Sequence, residues 1–137
     1  MSFSSDLRKY AKKLDLSLEE VAVSICSEAV TSVIEKTPVD KGGAKANWVA
    51  TLNRPYGSIV KTTDESGSIS ISKGISIAKN ASGNIFYLTN NLPYIRKLEF
   101  GGYSSGPKIV GGFSTQAPRG MVRLTMMEIK AKLRKYR

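Results

Sequence analysis

Histidine is absent from this chain of 137 residues, and cysteine occurs once, at Cys26. Without histidine the commonest general base and the commonest metal ligand are missing. A single cysteine excludes an internal disulfide and any multi-cysteine metal cluster. No apolar run approaches the roughly 20 residues that cross a bilayer. The first residues, Met1-Ser2-Phe3-Ser4-Ser5-Asp6, show no basic stretch followed by an apolar block, so no secretory signal is expected. Acidic residues are also scarce: 11 Asp and Glu stand against 21 Lys and Arg, for a net charge of +10. What is present is ordinary for a soluble domain, with 41% hydrophobic and 23% charged residues. The length fits one domain over 1–137.

The charge excess implies an acidic partner or a solubilising surface. Residues 1–36 hold five basic and six acidic residues, residues 37–118 nine and four, and residues 119–137 seven and one. The basicity therefore gathers toward the C-terminus.

Hydrophobic spacing of Phe3, Leu7, Tyr10, Ala11 and Leu14 predicts a first helix from about Ser5 to Leu14, capped by Ser4 or Ser5. Ser17-Leu18-Glu19-Glu20 is a capping box. It opens a second helix whose stripe of Leu18, Val21, Ala22, Ile25, Ala29, Val30, Val33 and Ile34 runs to about Lys36. Thr37-Pro38 ends it, because the residue before proline leaves the α region. Cys26 lies beside the stripe and reads as a small buried hydrophobe. Residues 37–43 read as a turn and residues 46–53 as a strand. Over 68–80, Ile69, Ile71, Ile75 and Ile77 alternate as in a strand, although Ile71, Ile75 and Ala78 also fit a helical face. Ile85 to Leu88 reads as a buried strand. Pro93 at N1, with Asn91 as cap, opens a short helix with Tyr94, Ile95, Leu98 and Phe100 on its apolar side, closed by Gly101. The glycine-rich stretch from 101 to about 115 reads as a flexible loop. Pro118 opens a last helix to about Arg134, with Met121, Val122, Thr125, Met126, Ile129 and Leu133 inward. The expected class is α+β: a small, mostly antiparallel sheet packed against N-terminal helices and a C-terminal helix.

Tests for chemistry come back empty. Gly101-x4-Gly106 has the spacing of a phosphate loop, but Pro107 stands where the lysine is required. Asn80-Ala81-Ser82 matches a glycosylation sequon by chance. Asp64-Glu65 lies in a polar stretch and reads as solvated, and Glu99 can pair with Lys or Arg on its own helix. Nothing places two carboxylates across a pocket, so no enzyme, no catalytic residue, no metal and no cofactor is expected. Arg119, Lys130, Lys132, Arg134, Lys135 and Arg137 are candidate contacts to an acidic partner or to DNA phosphates. A structural reading stands beside this one, since cations suit a helix C-terminus by about 0.3–1 kcal/mol each. Arg119 and Arg123, at the start of the last helix, have no such reason and are candidates to face a partner.

Three segments together resemble a known family. They are Thr37-Pro38-Val39-Asp40-Lys41-Gly42-Gly43-Ala44-Lys45-Ala46-Asn47-Trp48; then Ile85 to Gly101, with Asn90-Asn91-Leu92-Pro93-Tyr94 and Leu98-Glu99-Phe100-Gly101; and Gln116-Ala117-Pro118-Arg119-Gly120-Met121-Val122-Arg123. Their order and helical flanks resemble the tail-completion proteins of tailed bacteriophages, the neck or minor tail proteins of the lambda protein Z type. The likeness runs from the N-terminal helix to about residue 129. Relatives carry Thr in place of Lys41 and Arg in place of Gly43, and residues 102–113 stand as an insertion.

The resemblance implies a structural virion protein at the neck or tail, assembled in the host bacterial cytoplasm. It implies a subunit of a ring, six-fold or twelve-fold, that completes the tail and helps it join the head. The implied partners are copies of itself, neighbouring neck, tail-tube or head-completion proteins, and DNA in the channel, with no membrane. It also implies a helix near 70–80. The motif residues then take structural or assembly roles. Thr37, Pro38, Asp40 and Gly42 shape a turn, with Asn47 beside it, and Trp48 packs in the core. Asn90, Asn91, Pro93 and Tyr94 form a corner that leads to Leu98, Glu99 and Gly101. Gln116, Ala117, Pro118, Gly120 and Met121 set the last helix, and Glu99 and Arg123 are ion-pair candidates within or between subunits. The alternative class is a small basic DNA-binding protein.

Overall fold

Ser17 and Glu20 cap the long helix reciprocally, as their spacing requires: Glu20 N–H donates to Ser17 Oγ at 3.1 Å, and Ser17 N–H to Glu20 Oε1 at 3.4 Å. In this computed structural model the described residues are 2–39, 42–102, 109–114, 117 and 119–136. The elements are α1 (Phe3–Lys13), α2 (Leu18–Lys36), α3 (Gly43–Ala46), β1 (Val49–Leu52), α4 (Ser68–Ala78), β2 (Phe86–Thr89), α5 (Ile95–Phe100), β3 (Ile109–Val110), β4 (Phe113–Ser114) and α6 (Val122–Arg134). β1 pairs antiparallel with β2, from Val49–Thr89 to Leu52–Phe86, and β3 pairs antiparallel with β4. The class is α+β, with a small antiparallel sheet set among N-terminal and C-terminal helices. No helix among the described residues is long and apolar enough to cross a membrane.

α2 is the spine, packed against α1, α4 and α6. Toward its N-terminal half, Val21 joins Tyr10 and Ala11 of α1 and Ile129 and Leu133 of α6 in one core cluster. Toward its C-terminal half, Val30, Val33 and Ile34 join Ala44, Trp48, Leu98, Ala117 and Met121 in a second. α6 therefore runs antiparallel to α2.

Several expectations need correction. Ser2, one residue before α1, caps it by accepting from Ser5 N–H at 3.1 Å, in place of Ser4 or Ser5. Leu14, Leu18 and Met126, expected on buried helix stripes, are exposed, as is Ile85, which lies before β2 rather than in a buried strand. Ala46 and Asn47 belong to the one-turn helix α3 and its cap, which shortens the strand expected over 46–53 to Val49–Leu52. α5 starts at Ile95, after Pro93, and Asn91 is not its cap. Leu98 is buried, but Tyr94 and Phe100 are exposed. α6 starts at Val122, four residues beyond Pro118. Pro118 itself lies outside the described residues, as do Asp40, Gln116 and Arg137. Of the glycine-rich stretch, 109–114 form a hairpin. Gly111 and Gly112 both take positive φ, as a two-residue turn demands.

Residues 68–78 are the sharpest case. The isoleucine alternation favours a strand, yet the segment is α4, as the family resemblance implies. The residues buried in α4 are Ser70, Gly74 and Ala78, small ones at four-residue spacing. A β-carbon on Gly74 would lie 2.4 Å from Val30 Cγ1. Gly74 is thus where α4 closes on α2, and the isoleucines flank that contact.

Candidate functional site

The motif residues of the three segments turn inward and lock loops to one another. Thr37, buried at the end of α2, donates through Oγ1 to Val33 O at 2.7 Å and accepts from Trp48 Nε1 at 2.8 Å. That hydroxyl closes the helix and satisfies the only polar atom on the indole ring. Thr37→Val is expected to cost about 1–2 kcal/mol, because Trp48 Nε1 is left buried without an acceptor. Urea denaturation would measure it, and a change within error of wild type would show that the indole finds another partner. Pro38 beside it is half-buried.

Asn47, buried after α3, donates through Nδ2 to Gly43 O and Val60 O, and its Oδ1 accepts from Val60 N–H at 2.7 Å. Asn90 donates through Nδ2 to Ala44 O at 3.0 Å and accepts from Leu92 N–H. Asn91 donates through Nδ2 to Tyr56 O at 2.8 Å and Ser58 O at 3.0 Å. These asparagines hold irregular backbone in place, which explains amide side chains at these corners. Pro93 and Tyr94 are exposed at the turn into α5.

Glu99 is the most densely bonded of the set. α6 has no capping side chain of its own. Glu99, from α5, supplies one: Oε1 accepts from Met121 N–H at 2.8 Å and Val122 N–H at 2.7 Å, and Oε2 from Arg123 N–H at 3.0 Å. Arg123 Nε donates to Oε2 at 3.0 Å, and its Nη2 donates to Glu99 O. Burial by itself pushes the Glu99 carboxyl up, but the three amides and the guanidinium outweigh it and hold the group below the usual carboxylate range. Gly120 has φ +81°, and a β-carbon there would lie 2.5 Å from Glu99 O. Only glycine lets the chain pass this close. Ala117 and Met121 complete the seat in the core. Gly101, also at positive φ, ends α5 through N–H donation to Lys97 O and lies against the Phe113 ring.

Glu99 and Arg123 are therefore an ion pair within one chain, with Arg123 reaching across from α6 instead of a partner on Glu99's own helix. Lys132, offered above as an acidic-partner contact, instead pairs with Glu28 at 3.1 Å and sits over the Tyr10 ring. Its ammonium is desolvated, which lowers its pKa, but Glu28 prevails and holds it above the ordinary lysine value. Arg119, Lys130, Arg134 and Lys135 are exposed.

Asp64 is the residue whose role the sequence reading missed. It is buried rather than solvated, and its carboxylate accepts from Gly67 N–H at 3.2 Å and Ser70 N–H at 2.8 Å, capping α4. Desolvation opposes its charge, and these amides overcome it and lower its pKa. The usual signal is missing: the residue directly before α4 is Gly67, which has no side chain to cap with, and Asp64 reaches the helix from three residues further back. Cys26 is half-buried, and that burial pushes its thiol up, away from the reactive thiolate.

Two hollows remain. One, of about 780 Å³, lies between β1 and α4, with Asp64 and Lys73 as its charged lining. Asp64 is already occupied as a cap. The other, of about 240 Å³, is lined by Trp48, Ile95, Arg96, Glu99, Phe100, Val122 and Arg123. Among the described residues no group of His, Cys, Asp or Glu is placed to hold a metal ion. Comparison with protein-family models, with curated proteins and with solved structures finds no match to this chain.

Proposed function

We propose that this chain is a structural, non-enzymatic subunit of a phage neck or tail, one member of a ring at the head–tail junction that completes the tail for joining. The observation that carries this reading is the convergence of the three family-like segments. Trp48 Nε1 meets Thr37, Asn90 meets Ala44, and Glu99 meets Met121 to Arg123, all around the C-terminal end of α2. In this reading the work of these residues is to fix a scaffold, and the surface does the joining. Exposed apolar residues fit that surface: Tyr94, Phe100, Val110 and Met127 are each more than two-fifths exposed. Its proposed place is the virion, after assembly in the host cytoplasm.

The test is electron microscopy of lysates from a phage whose copy of this gene is disabled. Filled heads beside unjoined or abnormal tails are the expected result, and complete normal particles overturn the reading. A second reading, a small DNA-binding protein, draws on the exposed Arg8 and Lys12 of α1 and Lys130, Arg134 and Lys135 at the α6 end. It requires duplex DNA binding that weakens steeply with salt. Undetectable binding at low salt removes it.

A further inference from the structure

We infer that the 240 Å³ hollow at the α5–α6 corner is a docking pocket for an acidic peptide segment of a partner protein, one apolar side chain entering the pocket and a flanking carboxylate meeting Arg96 at its rim. The inference goes beyond the ring reading and holds whether or not the chain is a ring subunit.

The walls are apolar: Trp48, Ile95 and Val122, with the Phe100 ring beside them. Phe100 is 56% exposed and is flanked by cations. The Arg123 guanidinium lies 4.7 Å from its ring centroid and that of Arg96 6.0 Å. A small hollow with an aromatic lip and guanidinium groups at its rim is suited to an apolar side chain next to a carboxylate.

Charge complementarity selects the occupant. The acid in the lining, Glu99, faces inward and is engaged by three amides and Arg123. Its charge is thereby offset by the arginine and the α6 N-terminus. Arg96 remains at the rim, and Arg119 is exposed one residue before Gly120, whose backbone abuts Glu99. The local field is therefore positive, on a chain whose net charge is +10. A second copy presenting this same arginine-rimmed face would be repelled here, whereas an acidic segment would be steered in. Arginine at position 96 is also better suited to a carboxylate than lysine would be, because its fork matches one.

The pocket carries its own reporter, since Trp48 is the sole tryptophan in the chain. The experiment titrates the full-length protein with the peptide Glu-Phe-Glu-Phe-Glu-Phe and follows Trp48 emission. The expected result is a saturable change. Replacing the peptide's phenylalanines by serine should weaken binding about ten-fold or more, as should R96E or F100A, both of which alter exposed side chains. K130E changes an exposed cation about 10 Å further along α6 and should leave the titration unaltered. Absence of a Trp48 response overturns the inference. So does equal weakening by K130E, which would mean attraction to net charge alone. Reversible self-association of the wild type, lost in R96E with the peptide ignored, would make the occupant a second copy and overturn the assigned partner.

Discussion

Gly42→Ala is expected to lower stability by about 3–4 kcal/mol. Gly42 has φ +84°, a conformation that costs an L-residue about 1–2 kcal/mol. The added β-carbon would meet Glu65 N at 2.6 Å, Asp64 C at 2.7 Å and Asp64 N at 2.8 Å. All three are backbone atoms, so no rotamer change relieves the clash. The loop must retreat, and two contacts go with it: the Asp64 N–H bond to Gly42 O at 3.0 Å and the Asp64 carboxylate cap on α4. Gly83→Ala is the matched control. Gly83 has φ +77° with nothing within 4 Å, so it reports the backbone term alone, about 1 kcal/mol. Urea midpoints for the two variants decide the matter. Equal losses would mean that the loop yields freely and that the close approach contributes nothing.

Glu99→Ala should cost about 3 kcal/mol, because it removes the acceptor for three amides at the start of α6 and the partner of Arg123. Arg123→Ala should cost less, about 1 kcal/mol, since that side chain is half-exposed and water replaces part of the interaction. pH separates the carboxylate's charge from its shape. The folded state holds the Glu99 carboxyl below its ordinary value of 4.5, so the folded protein binds fewer protons there than the unfolded chain. The stabilisation is complete above that value and is lost as pH falls through the lowered folded value. The stability gap between wild type and Glu99→Gln should therefore be widest near neutrality and shrink on acidification. Thermal unfolding across that range measures it. A gap that stays constant would mean that the bonds to Glu99 do not depend on its charge.

Much of the scaffold was legible because it is local. The Ser17–Glu20 box and Thr37-Pro38 mark both ends of α2 through neighbours in sequence, and the structure keeps both ends. The site was legible only as a set of motif residues. Thr37, Asn47, Asn90 and Glu99 could be singled out, but their partners lie 11 to 46 positions away in the chain. Asp64 was misread for a related reason: an acid in a polar loop looks solvated until its cap is seen. The residues of α4 misled because period-two isoleucines outweighed Ser70, Gly74 and Ala78, which hydropathy scarcely registers.

By itself, the sequence determined the helical spine, the α+β class and the excess of positive charge, since these follow from spacing, capping and composition. Tertiary structure decided what the isoleucine pattern of α4 left open between strand and helix, because the helix buries Ser70, Gly74 and Ala78 and Gly74 must admit Val30. It alone decided that Glu99 caps α6 rather than reaching a neighbour, because Gly120 brings the two backbones together. Tertiary structure likewise separated the cations: Lys132 is neutralised by Glu28 and Arg123 by Glu99, while Arg96 stands beside an exposed phenylalanine. Charge is counted along a chain, but its availability to a partner depends on which opposite charges the fold has already placed beside it.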